Sequence, residues 1–200
     1  MWRSSAAQHS QSLEAWYTHI PGLVVAVPAT PNDNAGLLRT AIRSDDPVVY
    51  MEHKGLWGLE GDVDDEPIPF GLARIARTGT DVTIVSWSAT VHEALAAADL
   101  LSDTGIEAEV IDLRTLWPWD VESVCASVEK TRRLVVAHEA VSVGGFGPEV
   151  AATVAERCFD ALEAPIRRVG SPRVPISYAP PLEDAVRVTA ERIASACTIP

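Results

Sequence analysis

The stretch DVTIVSWSATVHEALAAADLLSDTGIEAEVIDL, residues 81–113, decides the fold class. Residues 81–87 (DVTIVSW) are a β-branched run of the kind found in strands covered on both faces. Residues 90–105 (TVHEALAAADLLSDTG) place Ala and Leu at helical spacing and stop at Gly105, the residue type that most readily closes a helix. Residues 107–113 (EAEVIDL) return to a buried strand. Strand, helix and strand joined this tightly predict parallel strands with a right-handed crossover between them.

The alternation continues downstream. Residues 119–131 read as a helix, with Asp120 able to cap the N-terminus and Lys130 suited to the C-terminus. Residues 133–139 are a third strand, 147–163 a third helix, 166–170 a short strand and 182–197 a closing helix. Helices then cover both faces of a mostly parallel sheet, an open doubly wound α/β domain over residues 72–200.

Upstream the character changes. SLEAWYTHI (12–20) reads as a helix capped by Ser12 and ended by Pro21-Gly22. LVVAVPAT (23–30) and PVVYME (47–52) read as strands flanking a helix at 32–44. Two strands and two helices are too little sheet to close a core alone. HKGLWGLEGDVDDEPIPFG (53–71) is rich in Gly, Pro and acids, with 62–71 as the linker proper. The expectation is a fragment of a second α/β domain (1–61), a linker (62–71) and a complete domain (72–200).

Composition narrows the partners. The 200 residues carry a net charge of −12, which opposes nucleic-acid binding because phosphate contacts need a basic face. Residues 62–200 hold 22 acids against 12 bases, whereas 1–61 hold six against four. That acidic surface is either simply solvated or a docking face for a basic protein segment. No apolar run is long enough to span a bilayer, and Met1–Ser5 lacks the apolar core of a signal peptide. Cys125, Cys158 and Cys197 are odd in number and spread along the chain, which argues against a disulfide framework and for a reducing cytoplasm. Their spacing offers no zinc site, and Cys125 and Cys158 read as core residues of helices.

Other signals are local. HEAVSVGGFGPE (138–149) has glycines before a helix but neither the lysine of a phosphate loop nor a dinucleotide fingerprint, so it reads as a tight strand-to-helix turn. His138 and Glu139 fall at the carboxyl end of a strand, where open sheets place ligands. Trp117-Pro118-Trp119 supplies large apolar area for a crossover or an interface. The acids of DVDDEP (62–67) read as solvated.

Six ordered blocks carry a resemblance: QHSQSLEAWYTHIPGLVVAVPATPNDNAGLLRTAI, DPVVYMEHK, DVTIVSWSATVHEAL, VIDLRTLWPWD, RLVVAHEAVSVGGFGPEVA and EAPIRRV. Together, over residues 8–183, they resemble the beta subunit of thiamine-diphosphate-dependent 2-oxo acid dehydrogenases, the decarboxylating components of the pyruvate and branched-chain complexes, related to transketolase. PWDVESVC and ERCFDALEAPI resemble the branched-chain type slightly more. The resemblance implies that residues 1–61 belong to a pyrimidine-binding domain most of which, including the glutamate that activates the cofactor, lies outside this chain. It implies that residues 72–200 correspond to the transketolase C-terminal domain, which serves dimerisation and docking. His9, in HSQ, corresponds to the active-site histidine that assists acyl transfer to lipoamide, work suited to an imidazole. Ala41, Ser44 and Asp46 correspond to positions that bind a structural potassium ion, largely through main-chain carbonyls. Thiamine diphosphate with magnesium would be bound mainly by the region outside this chain and by an alpha subunit. The implied partners are that alpha subunit, a second beta subunit and the basic binding domain of a lipoyl acyltransferase core, with no nucleic acid and no membrane. The chain is expected to be inactive alone. Two other readings remain at this stage: a non-catalytic docking module, and a nucleotide-binding α/β domain.

Overall fold

The computed structural model describes residues 4–198; Met1–Arg3 of the segment read for a leader, and the last two residues of the 72–200 domain, lie outside the described residues. In chain order the elements are α1 (Ala7–Ser10), α2 (Glu14–Thr18), β1 (Val24–Ala26), α3 (Pro31–Arg43), β2 (Val48–Tyr50), β3 (Arg74–Arg77), β4 (Val82–Ser86), α4 (Thr90–Ser102), β5 (Ala108–Asp112), β6 (Thr115–Trp117), α5 (Val121–Thr131), β7 (Leu134–Val141), α6 (Gly147–Arg157), β8 (Arg167–Ser171), α7 (Pro180–Val186) and α8 (Ala190–Thr198). Among the described residues no helix is long and apolar enough to cross a membrane.

The mixed α/β, doubly wound architecture read from residues 81–113 is the one observed. A five-stranded sheet runs β3-β5-β4-β7-β8, with β5, β4, β7 and β8 parallel. All of β4 is buried, and its side chains divide by strand period. Val82 and Ile84 pack with Ala94 and Ala98 of α4 and Ile193 of α8. Val85 faces the other way, towards Val124 and Val128 of α5 and Val150 of α6. Thr83 shares that second face, and its hydroxyl lies 2.6 Å from both Ser127 and Thr131 of α5, so this buried hydroxyl is paired. Asp120 caps α5 as expected, accepting from the Ser123 amide at 3.0 Å.

Several boundaries differ from the sequence reading. β3 is an antiparallel edge strand on β5, and β6 is a short strand, neither of which the periodicity of the chain marked. The expected helix at 147–163 ends at Arg157, because Cys158 leaves helical backbone at φ −139°. The closing helix is two helices: Arg187 is extended, the Ser171 hydroxyl donates to the Val186 carbonyl at 2.9 Å, and Thr189 starts the next turn by accepting from Ile193. Ser12 does not cap α2; its hydroxyl reaches Glu139 at 3.4 Å, and Leu13 stands at the helix start.

The shortage of sheet in residues 1–61 is met from the second part of the chain. β1 pairs in parallel with β2 and antiparallel with β6, giving a second sheet of order β2-β1-β6. Val25 and Val27 consequently share one core with Val85, Trp87, Ile111 and Leu116. Trp119 is buried edge-on to Phe146, at 6.2 Å between ring centroids, whereas Trp117 is half exposed. A buried ionic cluster fastens the two parts. Asp33 of α3 lies 2.7 Å from the Arg114 guanidinium and 3.5 Å from that of Arg74, which in turn reaches Asp112 at 3.0 Å. The linker is also laced to α3, for Arg39 donates to the Asp64 carbonyl at 2.8 Å and the Ile68 amide donates to the Gly36 carbonyl at 3.1 Å.

Candidate functional site

The carboxyl ends of β2, β4 and β7 converge beneath the segment 9–14. That is where a parallel sheet gathers loops from different strands, and so where side chains distant in sequence can meet. β2 delivers Glu52 and His53, the end of β4 delivers Trp87, and β7 delivers His138 and Glu139. His9, exposed at the end of α1, lines a cleft of about 190 Å³ with Ser12, Glu52, His53, Lys54 and Glu139. A second cavity of about 110 Å³, lined by Gln11, Glu14, Met51 and Trp87 among others, shares Ser12, Glu52, His53 and Glu139 with it.

The polar floor of this cleft is specified atom by atom. His53 precedes a short 3₁₀ turn (Lys54–Leu56), and its Nδ1 accepts from the Gly55 amide at 3.0 Å. The proton of the neutral ring is therefore on Nε2, which lies 3.0 Å from Glu139 Oε2. Burial would raise the Glu139 carboxyl, but the hydrogen bond from His53, and the positive charge of that ring when protonated, oppose the rise, and the group lies below its ordinary value. Glu14 behaves in the opposite way. Its complete burial pushes the carboxyl up, the Trp87 indole donation at 3.1 Å opposes that, and the nearby charge of Glu139 adds to the rise. Two carboxyls with pKa values driven apart in one cleft are the signature of a site able to hold and move protons.

His138 stands beside this floor rather than in it. The ring is fully buried, stacks on Trp87 at 5.1 Å and 12°, and has no well-formed hydrogen bond at either nitrogen. Burial takes its pKa down to about 4, so it is a neutral packing group at working pH. The glycines of the following turn fit over it: a Cβ on Gly147 would lie 2.5 Å from its Nε2.

Of the residues singled out by sequence, the structure brings His9 and Glu139 to one cleft and leaves Ala41, Ser44 and Asp46 apart, at the end of α3. There the Ser44 amide donates to the Ala41 carbonyl at 3.3 Å and the Asp46 amide to the Ser44 hydroxyl at 3.1 Å, the closure of an ordinary helix terminus. Sequence reasoning missed Glu14 and His53. The first lies inside an apolar helix pattern, a place where a carboxylate must find a partner, and the second inside the stretch read as linker. The acids read as solvated are partly engaged, Asp65 pairing with Arg39 at 3.2 Å.

The residues present do not fit a magnesium diphosphate. Among the described residues no group of three or more His, Cys, Asp or Glu side chains could hold a metal ion. The two carboxylates of the cleft floor are already committed to Trp87 and His53.

An open doubly wound domain with its cleft at the strand carboxyl ends, closed on one side by a strand-poor α/β segment, is the class of protein defined here. The chain belongs to the transketolase C-terminal domain family, whose pattern matches residues 71–193, and residues 3–58 match the transketolase pyrimidine-binding domain. It is 50% identical over 194 residues to the beta subunit of acetoin:2,6-dichlorophenolindophenol oxidoreductase of Cupriavidus necator, covering 96% of this chain and 57% of that one. It is 43% identical over 196 residues to the mitochondrial beta subunit of the pyruvate dehydrogenase E1 component of Dictyostelium discoideum, covering 95% and 55%. The mitochondrial 2-oxoisovalerate dehydrogenase beta subunit of the same organism is 47% identical over 165 residues, covering 80% and 45%. Among solved structures, a split-gene transketolase described as an inactive beta4 tetramer superimposes with TM-score 0.80 at 27% identity, covering 96% of this chain and 61% of that one. The chain thus spans about half the length of the curated relatives it matches.

Proposed function

We propose that this chain forms the beta-side wall of the active site in a thiamine-diphosphate-dependent dehydrogenase that passes an acyl group to a lipoyl arm. The observation that carries the reading is the meeting of His9, His53 and Glu139, from three separate segments, in one cleft. The names of the relatives support it and widen the substrate class. Pyruvate and 2-oxoisovalerate dehydrogenases act on 2-oxo acids, and the 50% relative adds acetoin, which the sequence reading did not include.

When bound, thiamine diphosphate supplies the carbanion chemistry by which a bond next to a carbonyl is cleaved. The residues of this chain do simpler things. His9, on the open side of the cleft, is placed to give a proton to the sulfur released as a lipoyl disulfide opens. Glu139 fixes His53, and Trp87 fixes Glu14, so the floor behind His9 does not reorganise as charge moves. The cofactor, its magnesium and most of its contacts come from an alpha subunit and from pyrimidine-domain residues not present in this chain. A second beta subunit completes the assembly. The acidic surface suits the basic binding domain of an acyltransferase core. The main-chain carbonyls at Ala41, Ser44 and Asp46 are kept as the place for a potassium ion, and a cytoplasmic setting suits three free thiols.

The test is co-expression with an alpha chain and with a segment supplying the remaining pyrimidine-domain residues, followed by turnover of pyruvate, 3-methyl-2-oxobutanoate and acetoin. One assay reads acylation of a lipoyl domain and a second reads reduction of a dye acceptor. His9→Ala is expected to reduce lipoyl acylation about 100-fold or more while dye reduction changes only a few-fold. Equal loss in both assays refutes the assigned role of His9. Binding to the alpha chain with no turnover of any substrate refutes the enzyme reading in favour of a docking module.

A further inference from the structure

Cys125 and Cys158 stand 33 positions apart in the chain, yet the fold brings their sulfurs to 3.2 Å. Cys125 lies on α5, and Cys158 is the residue at which α6 ends. Both are free thiols, 8% and 7% exposed, in the core cluster under one face of the main sheet. Cys197 belongs to the cluster under the opposite face. The two helices are also held together at the surface, where Arg157 reaches Glu122 at 2.7 Å, so the approach of the sulfurs is supported by a contact independent of them.

The geometry points to a peroxide-oxidisable dithiol site at Cys125 and Cys158, which closes to a disulfide inside the native fold. Closure needs the sulfurs to approach by only about 1 Å, from hydrogen-bond to bonded distance. One sulfur attacks hydrogen peroxide, breaking the O–O bond and leaving as a sulfenic acid with release of one water. The second sulfur then displaces the hydroxyl as another water while the S–S bond forms. Two thiols and one peroxide give one disulfide and two waters, the thiols supplying both electrons. Burial drives the Cys125 thiol up to about 12, which keeps thiolate scarce. Scarce thiolate slows attack on any oxidant, and the small exposure of the two sulfurs admits a small neutral oxidant in preference to a bulky disulfide such as oxidised glutathione. The ring closed by the new bond contains β7 and hence Glu139, so oxidation pins the strand that floors the cleft.

The experiment treats the full chain, in native buffer, with hydrogen peroxide, then alkylates it under denaturing conditions and maps cysteine peptides by mass spectrometry. Expected are a Cys125–Cys158 cross-linked peptide two hydrogens lighter than its parts, an alkylated Cys197, full reversal by dithiothreitol, and a thermal midpoint raised by roughly 5 °C or more in the oxidised form. Oxidised glutathione at equal concentration is expected to act at least tenfold more slowly. Recovery of both thiols as alkylated peptides, or their separate conversion to sulfinic acids, overturns the proposal. So does a cross-link that appears only after the chain has been unfolded. Cys125→Ser supplies a second check, since Cys158 alone is then expected to stop at stable sulfenic or sulfinic acid; a reversible disulfide from that variant also overturns the assignment.

Discussion

Replacing Asp33 by Asn tests whether the ionic cluster joins the two parts of the chain. The change keeps the shape of the side chain and the cap in which the Asp33 amide donates to Thr30 Oγ1 at 3.1 Å, and an Asn Oδ1 can still accept the Thr30 hydroxyl that donates to Asp33 Oδ2 at 2.6 Å. What it removes is one negative charge facing Arg114 at 2.7 Å and Arg74 at 3.5 Å, on a residue with no exposure. Removing one partner of a buried pair costs about 3–5 kcal/mol, since the other charge is left unmatched. Two features place this case at the lower end. The Asp33–Arg114 contact lies off the N–H axis, so charge rather than an aligned hydrogen bond is lost. The departure of Asp33 also relieves Asp112, whose carboxyl burial and the Asp33 charge raise to about 6, and which still holds Arg74 at 3.0 Å. A loss of about 3 kcal/mol corresponds to a thermal midpoint lowered by roughly 6–12 °C in a chain of this size. Calorimetry is the assay, with Arg114→Gln and the double variant closing a cycle whose coupling should reach at least about 1 kcal/mol. A midpoint lowered by less than about 2 °C, or full additivity, refutes the idea that this cluster is the fastening.

Asp112 gives a pH prediction of its own. Its folded pKa of about 6 exceeds the ordinary 3.8, so its contribution is fully present below the lower value and disappears as pH rises through the higher one. The difference is worth about 3 kcal/mol at most between pH 4 and 7, and Asp112→Asn should flatten that part of a urea-midpoint profile. Glu139 runs the other way: its lowered pKa stabilises the fold above the ordinary carboxylate range, and that stability is lost as pH falls through the folded value. His53→Gln should shift this acid limb upward in pH, and an unchanged limb counts against the His53–Glu139 pair. Gly79→Ala should destabilise by about 3 kcal/mol or more, since its Cβ would meet the Ala108 carbonyl carbon at 2.2 Å and backbone cannot yield as a side chain can. An alanine variant with wild-type midpoint would show that β5 tolerates displacement there.

The parts of this molecule that could be read from the chain are those fixed by local period. The β4–α4–β5 unit follows from residues 81–113 because each strand is covered on both faces and each connection is short, and neither property depends on a distant residue. What escaped the reading was set at long range. β6 is three residues whose partner, β1, lies some ninety positions upstream, and no periodicity in Thr115–Trp117 announces that pairing. Glu14 looks like a misplaced carboxylate until the Trp87 indole, 73 residues away, is seen to donate to it. Cys125 and Cys158 look like separate core residues until α5 and α6 are laid side by side. His9 was singled out by its motif, but His53 and Glu139 share its cleft only through the convergence of two distant strand ends.

That division has a physical consequence for how the two parts depend on each other. A strand pair such as β1–β2 cannot hold a hydrophobic face out of water by itself, and here its third strand, most of its core neighbours and the charge partners of Asp33 come from residues beyond 72. The converse does not hold, because β4, β5, β7 and β8 with α4 and α8 bury a separate cluster to which no residue before Ala76 contributes. The part of the chain that matches the transketolase C-terminal domain is therefore the template, and the part that carries β1 and β2 is the guest. The cleft holding His9 exists only while the guest is seated, so any change that loosens Asp33 or β6 should cost the cleft before it costs the main sheet.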